Sequence, residues 1–99
     1  MDRGIVEKAV HEVLHRIQNS QKLKCPVLDD TVKPIKDLEK FDSPMSLLAT
    51  GMIGRKLGIK IQPKTNAFGD KGGLFTIKKT IELICKLSEE QDRREPATL

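Results

Sequence analysis

The stretch from Phe41 to Gly58 constrains the fold of this chain more than any other. Ser43 and Pro44 stand directly before an apolar run. Serine is a preferred helix N-cap, proline is favoured at the first helical position, and glycine often ends a helix. The sequence therefore predicts a helix over 44–57, with Ser43 as its cap and Gly58 as its stop. The apolar run comprises Met45, Leu47, Leu48, Ala49, Met52, Ile53 and Leu57.

A helix start at Ser43 also has a chemical consequence. The N-terminus of a helix carries partial positive charge and unpaired backbone N–H groups. A phosphate esterified to Ser43 is therefore expected to lie over free amides. We expect most of the apolar residues that follow to serve the core rather than to contact lipid, namely Met45, Leu47, Ile53 and Leu57.

Helical periodicity predicts two further long helices, over 3–19 and 77–88, and Thr76 is expected to cap the latter. A short helix is expected over 64–67, followed by a flexible glycine-rich stretch at 69–73. The long connection 21–42 is expected to be pinned to the core by apolar residues, with no strands anywhere. We assign 1–88 to one domain and 89–99 to a disordered tail. The pinning residues are Val27, Leu28, Val32, Ile35, Leu38 and Phe41.

The Asp42-Ser43 pair opening an amphipathic helix, with Gly58 of Leu57-Gly58-Ile59-Lys60-Ile61 fifteen residues past the serine, resembles the acyl carrier protein family. Pro34–Leu38 and Thr76–Ile81 are similar to its flanking segments. The resemblance implies an all-α, four-helix bundle of acyl-carrier type with a long first loop and a short third helix. It implies 4′-phosphopantetheine on Ser43, with Asp42 presenting that serine to the transferring enzyme.

The resemblance also implies partners: a phosphopantetheinyl transferase, and acyl-loading and acyl-using enzymes of fatty acid, polyketide or lipid biosynthesis. The chain departs from the family in having proline after the serine and no acid between Ser43 and Ile61. Since that stretch is basic, we expect dedicated partners with acidic or apolar docking surfaces. The residues expected to recognise partners are Pro44, Met45, Leu48, Met52, Arg55 and Lys56.

Two other classes stay open: an unmodified carrier-like adaptor, and a small helix-turn-helix DNA-binding domain suggested by the net charge of +4. The basic residues are spread along the chain, so we do not expect nucleic acid. His11 and His15 lie four apart but lack a third metal ligand, and no nucleophile–base pair is visible, so we expect neither a metal nor a catalytic site. Cys25 and Cys85 are expected to be reduced thiols of a cytoplasmic monomer without a membrane segment.

Overall fold

A computed structural model of the chain describes residues 2–94, in which four helices and one short hairpin form. The prediction of a mostly helical domain is confirmed. In chain order the elements are α1 (Arg3–Ser20), α2 (Pro34–Asp37), α3 (Ser43–Leu57), β1 (Gly69–Asp70), β2 (Gly73–Leu74) and α4 (Ile77–Arg94).

Helix α1 begins where Asp2 supplies a cap: its carboxylate accepts a hydrogen bond of 3.0 Å from the amide of Gly4. The predicted helix over 3–19 is confirmed to within one residue. Apolar residues at helical spacing give α1 one buried face, whereas Ile5 is 55% exposed. That face packs against both α3 and α4. It comprises Val6, Ala9, Val10, Val13, Leu14 and Ile17.

Buried side chains and backbone hydrogen bonds hold the long first connection, residues 21–42, in place. Of the predicted anchors, Leu28, Leu38 and Phe41 are buried, but Val27 is 87% exposed, so that part of the prediction is wrong. The connection contains the single turn α2, which proline can start because it needs no amide there. The buried Phe41 ring contacts the buried Phe68 ring edge to face, with 5.3 Å between the ring centroids.

Helix α3 ends at Gly58, as predicted, because this residue adopts φ 71°, a left-handed conformation that glycine reaches without strain. The amide of Ile59 then donates to the carbonyl oxygen of Gly54 at 3.0 Å, closing the last turn. The chain folds back over α3 so tightly that a Cβ on Gly54 would lie 3.2 Å from both the Ile59 carbonyl oxygen and Ile61 Cδ1. A Cβ at position 54 would therefore force Ile59 or Ile61 to shift by a few tenths of an ångström.

The predicted short helix over 64–67 does not form, and the prediction that no strands form is also wrong. Residues 63–64 and 67–68 make turns, and β1 pairs antiparallel with β2 through Gly69–Leu74 and Asp70–Gly73. The stretch 69–73, predicted to be flexible, thus forms the tip of this hairpin. The short helix α2 lies in the first connection, whereas the predicted four-helix arrangement has its short helix between α3 and α4.

Helix α4 begins at the predicted cap, since the Thr76 hydroxyl accepts from the Lys79 amide at 3.2 Å. Its first amides are also paired: Ile77 donates to the Val32 carbonyl oxygen at 2.8 Å and Lys78 to that of Asp30 at 3.2 Å. The helix continues to Arg94, so the prediction of a disordered tail from residue 89 is wrong for 89–94. Residues 95–99 of that predicted tail lie outside the described part of the chain.

Candidate functional site

The residue singled out by the sequence, Ser43, lies at the exposed start of α3 between exposed Asp42 and Pro44. The cap is Asp42 and not Ser43, since the Asp42 carboxylate accepts a 3.1 Å hydrogen bond from the amide of Met45. The prediction of Ser43 as N-cap is therefore wrong by one residue. A carboxylate gains from the positive end of the helix dipole as well as from the amide, which favours this register.

The same geometry corrects the expectation that a phosphate on Ser43 would lie over free amides. Pro44 has no N–H, the Met45 amide donates to the Asp42 carboxylate, and the Ser46 amide donates to the Asp42 carbonyl oxygen at 2.9 Å. Three of the first four positions of α3 thus offer a phosphate no free N–H. The helix dipole still favours an anion there, but the neighbouring carboxylate opposes it.

Beneath Ser43 lies a set of buried polar contacts that the sequence interpretation missed. The Ser46 hydroxyl donates to the Ser43 carbonyl oxygen at 2.7 Å and accepts from Asn66 Nδ2 at 2.6 Å. Asn66 Oδ1 in turn accepts from the amide of Phe68 at 2.8 Å. The backbone of Ser43 is thereby tied to a loop more than twenty residues away along the chain.

One turn further along α3, Thr50 extends this network to α4. Its hydroxyl donates to the Ser46 carbonyl oxygen at 2.9 Å and accepts from the Ala67 amide at 3.0 Å. The Ala67 carbonyl oxygen accepts from the Thr80 hydroxyl at 2.8 Å. Ser46, Thr50 and Thr80 are almost completely buried, so these bonds replace contacts with water. The sequence did contain a signal for this network. The hydroxyl residues Ser46 and Thr50 are four positions apart, on a helix face whose other residues are predicted to be buried.

The six predicted partner-recognition residues divide between two places. Pro44 and Met45 lie at the start of α3 beside Ser43, and Met45 is partly buried against the core. The other four line a groove of about 720 Å³ between α1 and α3, together with Glu12, Val13 and Arg16. They are Leu48, Met52, Arg55 and Lys56.

The exposed surface of α3 is more apolar than predicted. Leu47, expected in the core, is 40% exposed, and Leu48 is 48% exposed. Ile53 is fully buried as predicted, while Leu57 packs partly buried against the core. Two adjacent leucines are thus available to solvent on the helix that begins at Ser43.

Lys56 is not a free cation, because its ammonium lies 2.6 Å from the Glu12 carboxylate on α1. The hydrogen bond from Lys56 holds the pKa of Glu12 below its usual value. The charge of Lys56 is therefore largely balanced within the chain. Arg55 makes no ion pair with any side chain among residues 2–91, so it presents its charge to solvent.

Other reactive side chains form no second site in the described part of the chain. No group of three His, Cys, Asp or Glu residues suited to a metal occurs among residues 2–91, whose side chains the structure describes, and His11 and His15 find no third ligand there. Cys25 and Cys85 are both free and partly buried, and burial raises the pKa of both thiols. At neutral pH both are therefore weak nucleophiles.

Comparison of the chain with protein-family models, with curated proteins and with solved structures gave no match. Among residues 2–94, no helix combines the length and the apolar character that crossing a bilayer requires.

Proposed function

We propose that this chain is a carrier protein that holds an acyl or related group as a thioester on 4′-phosphopantetheine attached to Ser43, and delivers it between partner enzymes. The observation that supports this most directly is an exposed serine on a firmly held backbone. Asp42 fixes the turn before Ser43, and the buried Ser46 hydroxyl holds the Ser43 carbonyl oxygen from below. A serine that another enzyme must modify needs both access and a defined orientation.

The residues around Ser43 leave its hydroxyl accessible for attachment of the prosthetic group, but they offer the phosphate of that group few hydrogen bonds. Ser43 is exposed, so its hydroxyl can reach the active site of a transferring enzyme. In that transfer Ser43 Oγ forms a bond to the phosphorus of coenzyme A that carries the pantetheine. The bond from that phosphorus to the departing adenosine 3′,5′-diphosphate breaks. The hydroxyl proton of Ser43 passes to a base of the transferase. Because α3 offers few free amides, the phosphodiester charge is left mainly to solvent.

The chemistry of acyl transfer belongs to the bound group, whose terminal thiol forms the thioester. The chain's own residues attach and orient. Ser46 and Thr50 join the start of α3 to the loop at Asn66 and Ala67, so Ser43 keeps one position relative to the rest of the domain. The exposed residues of α3 then offer a surface on which partner enzymes can dock.

The structure bears differently on the two alternative functions, a helix-turn-helix DNA-binding domain and an unmodified adaptor. A helix-turn-helix needs a second helix a few residues after Gly58, yet within residues 2–94 the next helix begins only at Ile77. An unmodified adaptor that docks a partner through α3 uses the same surface without the prosthetic group. Only the chemical state of Ser43 separates the adaptor from the carrier.

The test is the intact mass of the protein after co-expression with phosphopantetheinyl transferases of broad specificity. We expect the wild type to gain the mass of one phosphopantetheine and Ser43→Ala to gain none. Ser20→Ala is the matched control, because Ser20 is also an exposed serine at a helix end and should leave the modification intact. A wild type that stays unmodified with several transferases contradicts the carrier function and leaves the adaptor in its place.

A further inference from the structure

The two glycines inside α3 lie in different environments. At Gly54 a Cβ would lie 3.2 Å from the returning chain at Ile59 and Ile61, which would have to shift to accept a side chain. At Gly51 a Cβ would meet no atom within 4 Å, and the position is exposed. Glycine weakens a helix interior relative to alanine, so its presence at position 51 has a cost that no contact within residues 2–94 offsets.

Gly51 lies in an open groove of about 820 Å³ along the outer face of α3. The exposed side chains of Leu47 and Leu48 line it from α3, and Ile59 and Ile61 line it from the segment that follows Gly58. Because Gly51 has no side chain, the backbone of the helix is accessible there. The result is a depression lined by apolar side chains together with Arg55, Lys60 and Gln62.

The charge at this groove has one sign. Arg55 and Lys60 both line it, and neither aspartate nor glutamate occurs from Ser43 to Gln62. Of the acids on adjoining surfaces, Glu12 is engaged by Lys56, and Glu90 lines a neighbouring groove that shares Lys60, Ile61 and Gln62 with this one. A second copy of this chain would bring cations against cations at this face, whereas an acidic partner would be attracted to it.

We propose that this groove binds an amphipathic helix of a partner protein, one that places an apolar side chain over Gly51 and acidic side chains beside Arg55 and Lys60. A depression bounded by residues three and four positions apart on a helix is the shape into which a side chain of a facing helix inserts. The absence of a side chain at Gly51 brings the two helices closer together. The proposal deepens the carrier function, on which it rests for the nature of the partner: an enzyme with an acidic docking helix.

The test uses the full chain carrying Ser43→Ala and labelled with ¹⁵N, so that modification plays no part. The probes are two synthetic helical peptides with leucine along one face, flanked in one peptide by glutamate and in the other by lysine. We expect the glutamate peptide to shift the amide resonances of residues 47–61 and to bind about tenfold tighter than the lysine peptide at low salt. The difference should shrink as salt screens the charges.

Variants then separate shape from charge. Gly51→Leu places a side chain in the depression, and its Cβ meets no atom within 4 Å, so we expect the variant to fold and to bind the glutamate peptide about tenfold more weakly. Arg55→Glu should weaken the glutamate peptide and strengthen the lysine peptide. Lys86→Glu, which makes the same charge change at an exposed position on α4, should leave both affinities nearly unchanged.

Three results would overturn the proposal: unchanged binding to Gly51→Leu, resonance shifts centred away from 47–61, or self-association of the chain through this face in sedimentation experiments. Because the binding test uses Ser43→Ala, its outcome is independent of whether Ser43 is modified. A negative mass experiment with positive peptide binding would remove the carrier function and keep the docking surface. The reverse pair of results would keep the carrier and remove the surface.

Discussion

The contrast between Gly51 and Gly54 gives a stability experiment in which each variant controls for the other. Both positions lie within α3, so replacing either glycine with alanine gains about 1 kcal/mol of helix propensity. At Gly51 the new Cβ meets nothing within 4 Å, so that gain should appear in full. Gly51→Ala is expected to raise the free energy of unfolding by about 0.5–1 kcal/mol.

At Gly54 the same change meets resistance. The new Cβ would lie 3.2 Å from the Ile59 carbonyl oxygen and 3.2 Å from Ile61 Cδ1. The Ile61 side chain can rotate, but the Ile59 backbone is held by its hydrogen bond to the Gly54 carbonyl oxygen. Overpacking of this kind costs about 1–3 kcal/mol, so Gly54→Ala should be less stable than Gly51→Ala by about that amount.

The assay is urea unfolding followed by circular dichroism at the helical band, because the chain has no tryptophan. A difference of about 1 kcal/mol corresponds to about 4–8 °C in Tm for a domain of this size, so thermal melts provide a second measurement. The slope of the urea transition should be equal in the two variants, since both unfold the same surface. If the two variants prove equally stable, the close approach of residues 59–61 to α3 is refuted. A Gly51→Ala protein less stable than wild type would show that this position is not open.

Two further predictions concern the hydrogen-bond network below Ser43 and the ion pair between α1 and α3. Thr50→Val removes the acceptor of the buried Ala67 amide and should lower the free energy of unfolding by about 1–3 kcal/mol in urea titrations; unchanged stability would show that another group pairs that amide. Because Lys56 lowers the pKa of Glu12, the contribution of this ion pair to stability is complete above the ordinary carboxyl pKa and is lost as the pH falls through the lowered value. The urea midpoint of wild type should therefore exceed that of Glu12→Gln slightly at neutral pH and equal it in acid, the gap being small because both side chains are nearly half exposed; a gap that persists in acid would contradict this.

The sequence predicted those features of the fold that depend on neighbouring residues. Thr76 at a helix start and Gly58 at a helix end are local signals, and the structure has helix boundaries at both. The choice between Asp42 and Ser43 as cap was beyond such a signal, because aspartate and serine are about equally good caps. The one-residue difference reverses the expectation about free amides and so changes the chemistry predicted for a phosphate.

The features that were missed depend on residues far apart in the chain. The short helix expected at 64–67 is replaced by turns and irregular backbone, where Asn66 and Ala67 bond to Ser46 and Thr50, contacts that no local pattern contains. Likewise, the sequence predicted Lys56 as a cation available to partners, but the packing of α1 on α3 places Glu12 opposite it. Residue types at the candidate site were thus predictable, whereas their pairing required the fold.

The bonds between the first connection and α4 bear on the order in which the chain can fold during synthesis. The carbonyl oxygens of Asp30 and Val32 accept from the amides of Lys78 and Ile77, which leave the ribosome much later. The connection therefore cannot reach its final backbone conformation when α1 and α3 first pair, and it remains open until the last helix arrives. In a nascent chain stalled before residue 77, proteases should cleave between residues 21 and 33, whereas release of the full chain should protect that segment.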